Sequence, residues 1–362
     1  MGCFRVIPIA VFLLLSVIRA LPQEDRLLSY FVVNQQVNDL AYSATRSMLY
    51  ASVPSTGGMY GNYVVEIDPS TRQVVRYVFA GSEPNKLAMS DDEQYLYVGM
   101  DGSGSILRIS IEQMIPDLNW SLGFAPTFGP MYVDDMDVAP SQPNVIAVTR
   151  RNICCSPRHE GIAIYDNGVR RLATTPRNSI TNEIEFGDDA FTLYGYNNEN
   201  SAYDYRRILA DSNGASILAS YRTSLIGFNL EIRYSRGTIY ATSGRFIDAN
   251  TALPVGSFAV GPVQSGLTVD ERNQRILFVK SNMIQAFDTG TFQPLGSVAI
   301  PSPDTVHNQA RLIRWGRHGL AFRLSDTRLV LAETPLVTRK LERARVLIRK
   351  GGTRNDHEMS TN

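Results

Sequence analysis

Polar side chains recur at regular intervals along this chain, each beside the start of a short apolar segment. Asn85 follows Asn38 after 47 residues, and amides, carboxylates and one imidazole return at similar intervals. The members of this set are Asn38, Asp39, Asn85, Asp134, Asp135, Asn182, Glu183, Asn229 and His307. Carboxylate and amide oxygens bind divalent cations and small polar ligands, and a carboxylate beside an imidazole can exchange protons with a substrate. If the segments converge, we expect a polar ring that binds a ligand; side chains that merely face water are the alternative.

A second candidate is the polar loop Arg158, His159 and Glu160, which follows two adjacent cysteines, Cys154 and Cys155. Neighbouring side chains of a strand point to opposite faces, so a bond between these cysteines requires a distorted backbone. Two interpretations stay open: a pair of small, partly buried thiols, or an adjacent-residue disulfide favoured by an oxidising compartment. With 4 His and 3 Cys in the chain, no metal site built from several such residues is predicted.

Composition narrows the class of protein. The chain has 362 residues, of which 44% are hydrophobic and 19% charged, which excludes a disordered chain. Its 35 Lys and Arg balance its 35 Asp and Glu, so no nucleic-acid partner is expected. The sequence contains no Gly-x-Ser-x-Gly elbow, phosphate loop, dinucleotide fingerprint, His-Glu-x-x-His or EF-hand pattern. No recognised catalytic motif therefore assigns a reaction.

The elements that would position these residues form an internal repeat. Segment 38–43 with 48–52 resembles segment 85–90 with 95–99. The same pattern recurs along the chain, and its last copy is 312–316 with 319–322. We count seven such copies, each beginning with two short apolar strands around a polar turn. A third strand, a turn and a fourth strand usually follow, as in 63–67 and 73–78. Turn signals include Asp68-Pro69, Asp166-Asn167-Gly168 and Asp288-Thr289-Gly290.

Four strands in each ~40–45 residues is the spacing of a β-propeller, in which each blade buries its faces against its neighbours. We therefore predict an all-β, seven-bladed β-propeller of four-stranded antiparallel blades over residues 27–337. The last copy is one strand short, and residues 27–33 are predicted to close the ring as its outer strand. A pair of irregular β-sandwich domains is the alternative.

The two ends of the chain differ from the repeats. In residues 1–20, Arg5 precedes an apolar run from Val6 to Ile18, shorter than the ~20 residues of a membrane-spanning helix, which predicts a signal peptide. An uncleaved anchor is the alternative, since Ile18 and Arg19 make a poor cleavage site. Residues 338–362 hold seven Lys or Arg against three acidic residues, which predicts a basic, disordered tail. We expect a monomer that is secreted, periplasmic or extracellular, without stable membrane insertion after signal cleavage.

Two segments carry a family resemblance. Asp92-Glu93-Gln94-Tyr95-Leu96-Tyr97-Val98-Gly99 and Ile67-Asp68-Pro69-Ser70-Thr71-Arg72-Gln73-Val74-Val75 resemble the YVTN-type (surface-layer-like) repeats of bacterial β-propellers. The resemblance covers roughly residues 30–335, although Tyr97-Val98-Gly99 only approaches the family tetrapeptide. It implies the propeller fold. Relatives of this architecture include non-catalytic exported scaffolds, lactonases, streptogramin lyases and the propeller subunits of amine dehydrogenases, so the fold does not assign the chemistry.

Three hypotheses about function follow. The first is a non-catalytic exported propeller that binds a protein or small polar ligand through one channel face. The second is a lactonase- or lyase-like enzyme that uses channel-mouth Asp and Glu with His307, with a divalent cation in the channel as its candidate cofactor. The third is an electron-transfer accessory, which requires a cofactor-bearing partner.

Overall fold

The structure is a computed structural model that describes residues 27–261, 265–280, 282–301 and 306–338. The predicted signal peptide at 1–20 and the tail after residue 338 lie outside the described residues. Within the described ranges the regular structure is all β, apart from short 3-10 helices at Gly58–Tyr60, Arg177–Ser179 and Pro335–Val337. No helix in these ranges has the length and apolar character needed to cross a bilayer.

The strands follow one another along the whole described chain. Up to residue 130 they are β1 (Ser29–Gln36), β2 (Asp39–Ser43), β3 (Met48–Ser52), β4 (Tyr63–Asp68), β5 (Gln73–Phe79), β6 (Pro84–Met89), β7 (Tyr95–Met100), β8 (Ser105–Ser110), β9 (Ile115–Ser121), β10 (Phe124–Ala125) and β11 (Gly129–Pro130). The next eight are β12 (Tyr132–Val138), β13 (Val145–Arg151), β14 (His159–Asp166), β15 (Val169–Thr174), β16 (Glu183–Phe186), β17 (Thr192–Tyr196), β18 (Asp204–Asp211) and β19 (Gly214–Arg222). The remainder are β20 (Ile232–Ser235), β21 (Thr238–Ala241), β22 (Arg245–Asp248), β23 (Pro254–Ser257), β24 (Gly266–Asp270), β25 (Arg275–Lys280), β26 (Met283–Asp288), β27 (Pro294–Ala299), β28 (Ile313–Trp315), β29 (Gly319–Arg323) and β30 (Arg328–Glu333).

The prediction of seven separate four-stranded blades is wrong. The described residues form five four-stranded sheets, namely β2–β5, β6–β9, β20–β23, β24–β27 and β28–β30 with β1. One further sheet is continuous over eight strands in the order β12-β13-β14-β15-β19-β18-β17-β16, and β10 and β11 form a small two-stranded sheet. The structure is therefore a propeller of five four-stranded blades and one eight-stranded sheet.

The eight-stranded sheet exists because two outer strands meet edge to edge. β15 and β19 pair in parallel at Ala173 and Gly214, and the N–H of Ala173 donates to the Asn213 carbonyl over 2.6 Å. Gly214 has a φ of +132°, and a Cβ there would lie 2.0 Å from the Ala173 carbonyl oxygen. Only glycine allows both this backbone conformation and this approach.

Local sequence explains the other turns and the ring closure. The Asp68 carboxylate accepts the N–H of Ser70 over 2.8 Å, as expected for an Asp-initiated turn. Asn167 and Gly168 both have positive φ, which suits the tight hairpin between β14 and β15. β1 pairs antiparallel with β30, so the N-terminal strand does become the outer strand of the last sheet.

The sheets are arranged around a common axis. The first strands β2, β6, β12, β16, β20, β24 and β28 each contact the next one, and β28 contacts β2. The apolar core lies between neighbouring sheets; for example, Ile284 and Val330 belong to one buried cluster, and Tyr97 and Val148 to another. Each sheet thus buries faces that it could not shield alone, and the alternative of two sandwich domains does not hold.

Candidate functional site

Charged side chains from the first strands converge on the axis. At equivalent positions the copies carry Asp39, Lys86, Asp135, Glu183, Glu231, Gly266 and Arg311, which we call the first layer. Arg311 Nε lies 3.6 Å from an Asp39 oxygen, and Arg311 Nη1 lies 3.8 Å from a Glu231 oxygen. Since these three residues lie in or just before the first strands of three different sheets, their side chains must face the same central space.

A second layer lies two residues further along the same strands, because alternate side chains of a strand share a face. Its charged members are Asp137, Glu185 and Arg233. Arg233 Nη1 lies 2.8 Å from a Glu185 oxygen, and its other terminal nitrogen pairs with Glu231. Among the described residues of the two layers, six carboxylates face three cations, so negative charge is in excess.

Several of these carboxylates also accept hydrogen bonds from the backbone of the neighbouring first strand. The N–H of Leu87 donates to Asp39 over 2.9 Å, and the N–H groups of Ile184 and Phe186 donate to Asp135 and Asp137 over 3.0 and 2.8 Å. Among the described strands, neighbouring first strands do not form a ladder with one another, so these buried donors need another acceptor. The carboxylates therefore have a structural role as well as a charge.

A cavity of about 210 Å³ opens between the layers. Asp135, Asp137, Glu185 and Arg311 supply its charged wall. Its apolar wall is formed by side chains such as Ala41 and Ala88. This small space, lined by both charged and apolar side chains, could hold a molecule of a few heavy atoms.

Burial alters the protonation of the cavity carboxylates. It raises the pKa of Asp137 to about 6, against the N–H bond from Phe186 and with the neighbouring Asp135 adding to the rise. It raises the pKa of Glu185 to about 8, although Arg233 opposes the shift. Burial also raises the pKa of Glu183 well above its usual range. Near neutral pH these groups share protons, which a cation entering the cavity would displace.

The one lysine of the first layer stays charged. Burial opposes the ammonium form of Lys86, but the carboxylates of Asp135, Glu183 and Asp39 together raise its pKa above the usual value. Its Nζ lies 4.0 Å from an Asp135 oxygen. Arg233 is likewise buried, and Glu231 and Glu185 raise its pKa despite that burial.

The amides predicted at the channel mouth mostly bind the protein itself. Asn38 donates to the Pro84 carbonyl over 2.9 Å, and Asn182 accepts the N–H of Asn198 over 3.1 Å. Asn85 donates to Asp101 over 2.7 Å. The sequence placed these residues at the right end of the first strands, but their side chains already have partners within the fold.

Asp134 belongs to a polar network at the same mouth. Arg151 Nε lies 3.6 Å from one Asp134 oxygen, and Arg151 Nη2 lies 3.0 Å from Asp101. Burial raises the pKa of Asp134 to about 6, against the charge of Arg151. Its Oδ2 is buried and has no hydrogen-bond partner among the described residues.

Asn229 and His307 lie apart from the carboxylate layers. Asn229 is exposed and adopts a left-handed conformation with φ +56°. The His307 ring is hydrogen-bonded to the backbone of Gln309, and burial, together with Arg323, lowers its pKa. Among the described residues, the structure shows no carboxylate partner for the His307 ring.

The loop candidates Arg158, His159 and Glu160 are separated by the fold. Arg158 is exposed and pairs with Glu199 over 3.1 Å, whereas Glu160 accepts from Asn152 over 2.8 Å. His159 is fully buried on β14. These three side chains do not form one site.

His159 is held neutral in the core. The Thr149 hydroxyl donates to the Thr181 carbonyl over 2.7 Å, so its oxygen accepts from His159 Nδ1 over 3.1 Å. Nε2 then accepts from the Ser179 hydroxyl over 3.1 Å. Burial lowers the pKa of His159 to about 3, with Arg150 and Arg206 adding to the effect. The Ser–His contact is therefore a buried structural pair.

Cys154 and Cys155 lie in the loop between β13 and β14. Their sulfur atoms are 2.06 Å apart, at bonding distance. The side-chain oxygen of Asn152 accepts both backbone N–H groups, over 3.0 and 2.9 Å. Asn152 thus fixes the backbone of the pair.

Sequence reasoning missed most of the charged axis: Lys86, Asp137, Glu185, Glu231, Arg233 and Arg311. The signal was present in the repeat. A residue two positions after each predicted site residue shares its face of the strand, so Asp137 follows Asp135 and Glu185 follows Glu183. In the described residues, no three His, Cys, Asp or Glu side chains converge closely enough to hold a metal ion.

Comparison with known proteins establishes the fold. No family model and no curated protein matches the sequence. The crystal structure of the Myceliophteria thermophila Cps50 (Swd1) β-propeller domain superposes with a TM-score of 0.63 over 85% of this chain and 99% of that chain, at 12% identity. The chain is a β-propeller. At this identity the likeness concerns architecture alone.

Proposed function

We propose that this propeller is a non-catalytic binding protein whose ligand is a small organic cation held in the axial cavity. The cavity of about 210 Å³, with Asp135, Asp137 and Glu185 on its wall, carries the proposal. It lies where the first strands of several sheets meet, so one ligand would contact several of them. Concave sites with a few converging polar groups are typical binding sites.

Charge favours a cationic ligand over an anionic one. Arg233 and Arg311 each already face two carboxylates, and Lys86 faces Asp135. Asp137 instead accepts backbone N–H groups, from Val138 and Phe186. An ammonium group beside Asp137 would supply the charge that this carboxylate lacks, and the methyl groups of Ala41 and Ala88 would contact its carbon skeleton.

Export is part of the proposal. It rests on the apolar run after Arg5 and on the resemblance to YVTN-type repeats, whose exported relatives include non-catalytic scaffolds. A secreted or periplasmic binding protein would meet small amines in its surroundings.

The test is calorimetric titration of the purified chain with ethylenediamine, using Ca²⁺ and acetate for comparison. Ethylenediamine should bind at pH 8 and at least about tenfold more weakly at pH 5, because Asp137 and Glu185 are protonated at pH 5 and must release protons to a cation. Acetate should not bind at either pH.

Matched variants locate the site. Asp137→Asn should weaken ethylenediamine binding by about tenfold or more, whereas Glu112→Gln, on an exposed turn, should leave it unchanged. Preferential binding of acetate, or equal effects of the two substitutions, would contradict a cation site in the channel. Turnover of a lactone that Asp137→Asn abolishes would instead favour the enzymatic hypothesis.

A further inference from the structure

Two adjoining cavities lie at the turns of sheets β20–β23 and β24–β27. The first, of about 450 Å³, is lined by Arg236, Arg272 and Arg275 among others, and the second, of about 240 Å³, shares Arg236, Glu271 and Gln274 with it. We call the two cavities together the turn groove. It lies at the ends of the first strands β20 and β24, whereas the channel-mouth residues lie at the starts of first strands. The groove and the mouth are therefore at opposite ends of the sheets.

The carboxylates of the turn groove already have partners. Glu271 accepts from the Ser235 hydroxyl and from Arg236 Nε, the latter over 3.2 Å. Asp288 Oδ1 accepts the N–H and the hydroxyl of Thr291 over 2.7 and 3.0 Å. Burial opposes the ionisation of Asp288, but these hydrogen bonds lower its pKa. The negative charge of the groove is thus engaged within the fold.

Positive charge exceeds negative charge in the groove. The guanidinium groups of Arg236, Arg272 and Arg275 line it with two carboxylates, which leaves one net positive charge. Arg275 is 3% exposed, and its Nη1 donates to the Leu336 carbonyl. The Arg272 side chain is exposed and has no hydrogen bond or ion pair with another described residue. Its N–H donors are therefore available to a ligand.

Turn formation does not explain the arginine at position 272. Arg272 lies three residues before β25, and the residues three positions before β7 and β17 are Asp92 and Asp189. Asp92 accepts the N–H of Gln94 over 3.0 Å and Asp189 that of Phe191 over 2.8 Å, which stabilises their turns. An arginine side chain accepts no hydrogen bond, so it cannot take this role.

Hydroxyl and amide side chains line the second cavity. Thr238 and Thr289 are half-buried there, and Gln274 lines both cavities. Tyr240 and Val269 add apolar surface. Polar groups beside apolar surface suit a sugar ring, which carries hydroxyl groups on its rim and C–H groups on its faces.

We infer that the turn groove binds a carboxylated sugar, with the carboxylate at Arg272 and a sugar ring beside Thr238 and Thr289. A guanidinium donates two parallel hydrogen bonds to a carboxylate. One net positive charge suits a single carboxylate better than a phosphate monoester, whose charge is about −1.5 to −2 at pH 7. The groove and the axial cavity share no lining residue, so this site is separate from the one proposed for a cation.

The experiment is calorimetric titration of the full chain with cellobiouronic acid and with cellobiose, which differ only in one carboxylate. Cellobiouronic acid should bind with a Kd below about 1 mM, and cellobiose at least about tenfold more weakly. Arg272→Gln should weaken binding of the acid by about tenfold or more. Arg317→Gln is the matched control, since it removes the same charge from an exposed turn between β28 and β29, and it should leave the affinity unchanged.

Two further measurements separate the alternatives. Thr289→Val should weaken both sugars by about threefold or more, because it removes a hydroxyl group from the second cavity. Arg272→Gln should leave ethylenediamine binding unchanged, so the two sites can fail independently. Equal affinity for the two sugars, equal effects of the two arginine substitutions, or tighter binding of glucose 6-phosphate would overturn the inference, as would a wild-type chain that does not bind the acid.

Discussion

Two opposing effects act on the protonation of carboxylates on the axis. Asp135 and Asp137 accept backbone N–H groups that hold β12 beside β16, which favours a charged acceptor. Burial and the neighbouring Asp135 carboxylate instead raise the pKa of Asp137, and Asp137 in turn adds to the raised pKa of Glu185. A cation that entered the cavity would displace the protons of Asp137 and Glu185 and pair with their negative charge.

Replacing Glu185 by Gln tests this crowding through stability. Burial raises the pKa of Glu185 to about 8, above its value in the unfolded chain, so the wild type loses stability as the pH rises towards 8. Gln has no such loss and keeps an oxygen for Arg233. Glu185→Gln should therefore match the wild type near pH 4 and exceed it by more than about 1 kcal/mol at pH 8.

Urea unfolding at both pH values measures this difference. Glu112→Gln, at an exposed turn, serves as the control and should show the same pH dependence as the wild type. If Glu185→Gln tracks the wild type from pH 4 to pH 8, the axial carboxylates are not crowded.

At the scale of elements, the junction of β15 and β19 depends on one glycine. Gly214 occupies backbone space that other residues rarely adopt, with the Ala173 carbonyl directly against it. Gly237 also has a positive φ, of +76°, but no atom of the described part of the chain lies within 4 Å of the position that a Cβ would take. Comparing substitutions at the two glycines therefore distinguishes the cost of backbone strain from the cost of the close contact.

Gly214→Ala should destabilise the fold by about 2–4 kcal/mol, because both the conformation and the contact become unfavourable. Gly237→Ala should cost about 1 kcal/mol, from conformation alone. Chemical denaturation of both variants decides the matter, and equal losses would mean that the junction does not constrain the sheet.

Sequence could predict the strands and their turns because those depend on near neighbours. Alternation of apolar residues and Asp68-Pro69 act within a few positions, and the outer strand near residues 27–33 followed from a copy that was one strand short. The eight-stranded sheet could not be predicted in this way. Its cause is the meeting of Gly214 with Ala173, 41 residues away in the chain, and no local pattern reports that approach.

The repeat fixes where the first strands begin, and Asp39, Asp135 and Glu183 lie in the first strands as the sequence indicates. Whether they bind a ligand stays a prediction. Asn38 and Asn182 bind neighbouring groups instead, because the structure offers a backbone carbonyl and an amide beside them. The spacing of the repeat also assigned His307 to the ring. In the structure β28 starts six residues after His307, so it does not occupy the same position as the other members.

At the scale of the whole molecule, the ring is closed by one pair of strands. β1 pairs with β30 from Ser29 opposite Glu333 to Gln36 opposite Arg328. Tyr30 and Val32 pack against the buried cluster of the last two sheets, and Val33 packs against the cluster between the last sheet and the first. This strand therefore links the beginning of the chain to both neighbours of the closure.

A chain that begins at Val37 should lose about 3 kcal/mol or more of stability, because this apolar surface is no longer buried and β30 becomes an edge. A chain that begins at Leu27 keeps β1 and should unfold like the full-length chain. Thermal unfolding of both measures the loss, and identical transitions would show that closure contributes nothing.

The antiparallel pairing of β1 and β30 has a mechanical consequence. Ser29 is paired with Glu333, so the first and the last strand of the propeller begin and end next to each other. A force that draws these two points apart would peel the pair one hydrogen bond at a time rather than slide one strand along the other. Under tension, the β1–β30 pair would separate before the other sheets of the propeller unfold.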